Sequence, residues 1–165
     1  MRLRMSSLRS FGLGTCLWCL TVIAPSLISG QTLDPRIGTW HLNMAKSESN
    51  VEPGFTAITL SVEAAGDGEK AVMKFGDAKG IFMVTQYTAD FDGRDYYYTG
   101  HPLVDTVSLK RIDARTIEQV FKKRGEVIQI ITRTVSEDGR TMTFKVRGKD
   151  FIDRDVRRTL LFEKQ

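Results

Sequence analysis

Few residues of this 165-residue chain are of types that do chemistry, and their spacing decides what each can do. "CLWC", running from Cys16 to Cys19, has the spacing of a thiol redox motif, but that chemistry needs a helix N-terminus in a folded domain to lower a thiol pKa. Here the motif lies inside the apolar run "FGLGTCLWCLTVIAPSLISG", and it holds the only two cysteines. His41 and His101 are the only histidines, 60 residues apart. His41 alternates away from Trp40 and is expected to face solvent, while His101, in "GHPL", is expected in a loop. No Ser, Cys or acid is placed by sequence to complete a metal or catalytic site with either. "DFDGRD" gathers Asp90, Asp92 and Asp95 around a glycine, a faint echo of a calcium loop that lacks the distal bidentate glutamate. A hairpin turn uses the same residues. No G-x-S-x-G, H-E-x-x-H or phosphate loop is present. The expectation is a protein that is not an enzyme and holds no metal or cofactor.

Binding without catalysis needs only a shaped apolar wall, and the chain has the side chains for one. In "YYY", Tyr96 and Tyr98 share one face of a strand and Tyr97 takes the other. Such tyrosines serve ordinary packing, and their polar tips also suit an amphipathic pocket. Met73, Met83, Phe121 and Phe144 occupy inward positions by the same alternation, and thioethers adapt to ligand shape. Met73, Met83, Tyr96, Tyr98, Phe121 and Phe144 are therefore the candidate ligand wall. Together with Phe75, Met142 and Phe162 they could instead fill the interior. Two functions then stand open: a carrier of a small apolar or weakly polar ligand, or a filled barrel acting through its outer surface as a structural or interaction module.

These residues need elements to position them, and the first thirty are not among those elements. Arg2, Arg4 and Arg9 precede the apolar run, which ends in small residues, the order found in a secretory signal peptide. An uncleaved anchor is the alternative, since the run is about 18 residues and a spanning helix wants roughly 20. Residues 1–30 are read as a signal peptide and 31–165 as one exported domain, periplasmic or extracellular, with no membrane insertion after cleavage. Losing three arginines and no acid takes the formal charge from +4 to +1. A near-neutral domain without a basic cluster gives no electrostatic case for nucleic acid. The mature chain also loses both cysteines, and with them any disulfide.

Through 31–165 the dominant period is two, with turn signals every eight to twelve residues. Ile58, Leu60 and Val62 alternate before "GDGEK"; Ala71, Met73 and Phe75 before "GDAKG"; and Ile81, Met83, Thr85 and Tyr87 before "DFDGRD", where Asp92-Gly93 suits a two-residue hairpin. Later strands follow around Val107, Ile117, Val127, Met142 and Val156. Only "NMAKSES" leans helical. About ten short antiparallel strands without crossover helices favour a single up-and-down meander β-barrel of about 8–10 strands, because closure removes exposed edges. A sandwich is the competing all-β solution.

Gly38-Thr39-Trp40 on a first strand, the meander, and a last strand ending "LLFEKQ" resemble the calycin superfamily, the lipocalins and fatty-acid-binding proteins. The phrases "GTWHLNMAKS", "DFDGRDYYYTG" and "DTVSLKRIDARTIE" are similar to small exported bacterial lipocalin-like proteins. The resemblance implies that Trp40 closes one barrel end, that a basic side chain of the last strand lies across its indole, and that Gly38 permits a close approach there. Arg158 is the expected cation, sharing a face with Leu160 and Phe162, with Arg157 as the alternative. Fatty-acid-binding proteins hold a carboxylate with an Arg-x-Tyr pair on the last strand. Leu160, Leu161 and Phe162 stand there instead, so the expected ligand is neutral or weakly polar.

Overall fold

The computed structural model describes residues 34–150 and 154–165. The expected signal segment, with Cys16 and Cys19, lies outside the described residues. All regular structure within them is strand: β1 (Gly38–Ser49), β2 (Ala57–Ala65), β3 (Gly68–Asp77), β4 (Gly80–Asp90), β5 (Tyr96–Thr99), β6 (Thr106–Arg111), β7 (Thr116–Lys123), β8 (Glu126–Val135), β9 (Thr141–Lys149) and β10 (Asp155–Lys164). Each strand pairs antiparallel with its sequence neighbours, and β10 returns to β1 to close the barrel. This is the up-and-down barrel expected from the alternation, and it is consistent with a calycin-like fold.

The turns show why the chain reverses where it does. At "KRGE" Arg124 has φ 50° and Gly125 φ 84°, the pair of positive values that a two-residue type I′ hairpin demands, and Lys123 pairs directly with Glu126. At "DAR" the Asp113 carboxylate accepts from the backbone N–H of both Arg115 and Thr116. "DFDGRD" differs from the expected two-residue hairpin. β4 ends at Asp90 and β5 begins at Tyr96, because the Gly93 N–H donates to Leu109 O at 2.9 Å and Asp92 bridges to Lys110. The turn is thus drawn against β6 and lengthened.

"NMAKSES" is likewise strand, not helix. Between Asn43 and Glu48 the register slips: β1 advances from 43 to 48 while β10 moves only from Leu161 to Thr159. The extra residues fold back locally, with Ser47 Oγ donating to Asn43 O at 2.7 Å and Lys46 N donating to Asn43 Oδ1 at 3.2 Å. Such a bulge bends its strand and sharpens the twist that closure requires.

Inward side chains of every strand meet in one core, with Trp40, Leu109, Ile117, Met142 and Phe162 completely buried. Trp40 does close one end. Its Nε1–H donates to the carbonyl of Arg36 at 2.9 Å, and the indole is 0% exposed. The cation across it is Lys164, with Nζ 5.0 Å from the ring centroid, and not Arg158. Register decides this: Trp40 lies opposite Lys164, whereas Arg158 lies opposite Ser49, at the other end of the barrel. Gly38, at φ 135°, explains the opening triplet, because a Cβ there would meet Lys164 Cε at 2.8 Å. The close approach that glycine permits is made by a lysine stem rather than a neighbouring backbone.

Candidate functional site: an apolar cavity between a polar floor and a basic rim

Above the Trp40 layer the barrel is not filled. A cavity of about 310 Å³ runs from Tyr87 and Gln119 up to the end opposite Trp40. That lies at the lower end of the range of small-molecule sites, roughly 300–1,000 Å³. Five of the six residues expected in the wall line it: Met73, Met83, Tyr98, Phe121 and Phe144. The rings are held against one another, with Tyr98 edge-on to Phe121 at 5.0 Å and Phe144 tilted on Phe162 at 4.6 Å. Offset and edge-to-face pairs of this kind fix ring orientation. Tyr98 Oη donates to Thr85 Oγ1 at 2.7 Å, and burial pushes its phenol pKa up to about 12.

Tyr96 is the exception. Its hydroxyl turns to the Asp90 and Asp92 carboxylates at 3.2 and 3.0 Å, near the Trp40 end. It is a partly buried neighbour of the core and is not in the cavity wall. Two of the three aspartates of "DFDGRD" thus accept from one tyrosine, and Asp95 pairs with Lys122 at 2.7 Å. Trp40 also stands outside the wall, beneath Leu60 and Phe162.

The floor is a polar network that alternation alone does not reveal. Glu69 and Arg133, each 1% exposed, form a bidentate pair at 2.8 and 2.9 Å. Tyr87 Oη donates to Glu69 at 2.6 Å and accepts from Gln119 Nε2 at 2.6 Å and Arg133 Nη1 at 3.2 Å. Burial disfavours the Arg133 charge, yet Glu69 and Tyr87 more than offset that and its pKa is raised. Burial, and then the Glu69 charge, push the Tyr87 phenol well above its usual value. Paired charges and shared hydrogen bonds are what make such groups tolerable away from water. One signal for them exists in sequence: Glu69, Gln119 and Arg133 sit two residues before Ala71, Phe121 and Val135 in apolar alternation, hence on the same inward face.

Below the floor, Arg36 is buried against Phe91 at 4.8 Å and paired with Asp34, which also receives Arg111 at 3.2 Å. Burial works against the Asp34 charge, but the Arg36 hydrogen bonds and the two guanidiniums hold its carboxyl below the usual range. The Trp40 end is sealed by these groups.

The described residues at the mouth are Glu52, Gly54 and Phe55 between β1 and β2, Phe82 at the start of β4, His101 and Val104 between β5 and β6, and Asp150 and Arg154. Phe55 meets Phe75 edge-on at 5.7 Å, and Phe82 stands 53% exposed on the rim. His101, expected in a loop, is there, and its ring also faces Tyr98 at 6.2 Å and lines the cavity. Burial and then the Lys123 charge lower its pKa, favouring the neutral ring. His41 is exposed as expected, between Thr59 and Gln165. Arg158 lines the cavity at its rim, with its guanidinium over Phe55 at 5.5 Å and its Nε–H donating to Ser49 Oγ at 3.1 Å.

The cavity thus joins an apolar, aromatic and thioether wall to neutral hydroxyl and amide groups deep inside, with charged side chains only at its mouth. Compared with known proteins, the chain is matched by no protein-family model and by no curated protein.

Proposed function

We propose that this chain is an exported lipocalin-like barrel that holds a small apolar or weakly polar molecule in its interior. The observation that carries this reading is the cavity of about 310 Å³, closed below and walled by Met73, Met83, Tyr98, Phe121 and Phe144. A filled barrel would leave no such space among these side chains, since protein interiors pack with few voids larger than a water. The floor supports a neutral occupant at depth. Arg133 is held by both oxygens of Glu69, so a carboxylate reaching it would have to displace a buried ion pair. Tyr98 and Gln119 offer hydrogen bonds without charge.

Calorimetric titration with decan-1-ol and neutral terpenes, together with native mass spectrometry of protein from its own host, tests the reading. One-to-one saturable binding is expected. Ala71→Phe should abolish it, because Ala71 is 2% exposed and points into the cavity, so a ring there takes the ligand's place. Met83→Trp, nearer the mouth, should weaken it. No binding by any neutral probe, with the protein folded, would remove the carrier function and leave the outer surface as the working part.

A further inference from the structure

On the outer face of the barrel, β8, β9 and β10 carry charges that the fold leaves unanswered. Alternation turns Lys145, Arg147 and Arg157 outward, since their neighbours Val146 and Val156 are buried and all three cations are exposed. Arg147 and Arg157 stand directly opposite each other across β9 and β10, and Ile130 pairs with Arg147 from β8. Like charges directly opposite on one sheet face destabilise the pairing unless something neutralises them. Asp155 is held by Lys149 at 3.2 Å, and Glu48 is set in the next row, opposite Thr159. Among the described residues no ion pair or hydrogen bond reaches the charged ends of Lys145, Arg147 and Arg157. These side chains line an open hollow of about 1050 Å³ together with Ile128 and Ile130. Its frame is held on both sides. Gly148, at φ 142°, brings β9 so close to β8 that a Cβ there would meet Ile128 O at 2.2 Å. Asn50 pins β10, with Oδ1 accepting from Arg157 N at 2.6 Å and Nδ2 donating to Asp155 O at 2.9 Å.

We propose that this outer hollow binds a soluble phosphate monoester, its phosphoryl group on Arg147 and Arg157 with Lys145 beside them, and its apolar stem along Ile128 and Ile130. A phosphomonoester carries a charge of about −1.5 to −2 at neutral pH, so one group answers two guanidiniums where a carboxylate answers one. Planar guanidinium forks match phosphoryl oxygens in pairs, and such charge-assisted bonds are the strong ones. The hollow is concave, which suits a small molecule and not the plane of a bilayer. A polynucleotide, with single charges strung along its backbone, would need a longer basic track than these three cations offer. Lys145, Arg147 and Arg157 do not line the interior cavity, so the site is separate from the carrier function and does not depend on it.

The test is calorimetric titration of the folded protein at neutral pH and constant ionic strength with hexyl phosphate and hexyl sulfate, and sedimentation with vesicles containing phosphatidate. Hexyl phosphate should bind one-to-one and about tenfold tighter than hexyl sulfate, which has the same shape and a single charge, a gap of about one charge-assisted hydrogen bond. It should also raise the Tm of the parent, because a ligand that binds only the folded chain stabilises it. Arg147→Gln and Arg157→Gln should each weaken hexyl phosphate about tenfold and remove its preference over hexyl sulfate. Relieved of an opposed like charge, both variants should melt no lower than the parent without ligand. Arg147→Lys, which keeps the charge without the fork, should retain part of the preference and serves if the glutamine variants do not fold. Lys74→Gln, at an exposed position of β3, should change nothing. Equal affinity for the two probes in the parent, or parental affinity for hexyl phosphate in both glutamine variants, would overturn the assignment. Binding to the vesicles without binding to hexyl phosphate would overturn it in favour of a lipid surface. No binding of any phosphate by the folded parent would overturn it and leave the cavity reading as it stands.

Discussion

Glu69→Gln is the substitution that most directly tests the floor. It keeps the shape of the side chain and removes its charge, leaving Arg133, 1% exposed, as a buried cation without a counter-ion. Both nitrogens that now bond Glu69 lie within 2.9 Å of its oxygens, so little rearrangement can substitute for the lost attraction. Breaking a buried pair in this way costs about 3–5 kcal/mol. Against a domain stability of about 5–15 kcal/mol, that is about a fifth or more of the total. It corresponds to a fall in Tm of about 10–20 °C for a domain of this size. Urea unfolding followed by Trp40 emission measures it, with an unchanged dependence on denaturant showing that the unfolded surface is the same. The companion variant replaces both partners with methionine. It should recover most of the loss, to within about 2 kcal/mol of the parent, because the desolvation of both charges disappears together and the Tyr87 hydroxyl, losing Glu69 and Arg133, keeps Gln119 as a partner. A cost below about 1 kcal/mol for Glu69→Gln, or a double variant as damaged as the single, would refute the claim that a closed ion pair forms the floor.

Two further outcomes follow from the same structure. Tyr98 has a folded-state pKa of about 12 against 10.0 unfolded, so its stabilising contribution is full below pH 10 and is lost as pH rises through about 12. Unfolding free energy measured across that window should fall by about 2–3 kcal/mol from this group, and phenolate absorbance should show Tyr98 and Tyr87 ionising only as the fold opens; early titration of all four tyrosines would contradict it. At the closed end, Lys164→Ala should cost about 0.5–1 kcal/mol and alter Trp40 emission, while Arg158→Ala should leave that emission unchanged; the reverse pattern would restore Arg158 to the indole and refute the register.

The barrel was legible because its evidence is local. Period-two alternation in "ITLSV", "AVMKF" and "TMTFKV", and Gly or Asp at each reversal, belong to single strands and single turns, and ten strands without helices have few ways to hide their edges. What misled was equally local. "NMAKSES" holds good helix formers, yet pairing with β10 at Asn43 and again at Glu48 and Ser49 leaves a bulge as the cheapest outcome. Asp92-Gly93 is a fair two-residue turn until β6 offers Leu109 O to Gly93, a partner no short window contains.

Register across the barrel's closing seam is the quantity alternation cannot supply, and it misplaced Arg158. Arg158, Leu160 and Phe162 do share a face, but which of that face's cations lies near Trp40 depends on how far β10 runs before it pairs with β1, and the bulge between Asn43 and Glu48 sets that distance. The same non-locality hid the floor. Glu69 and Arg133 are 64 residues apart, on β3 and β8, and each by itself looks like an interruption of an apolar face. Only closure brings them together, and once together they cancel. Five wall residues were legible because an inward methionine or aromatic needs no partner to be recognised as inward. Tyr96 was misplaced because β5 pairs with β4 only at Gln86 and Tyr87, and Asp90 and Asp92 beyond that pairing take its hydroxyl away from the cavity. Arg158 itself stands at the open end of the barrel, its guanidinium over Phe55 and its Nε–H on Ser49 Oγ, because Ser49 and not Trp40 is the residue that the closing register sets opposite it.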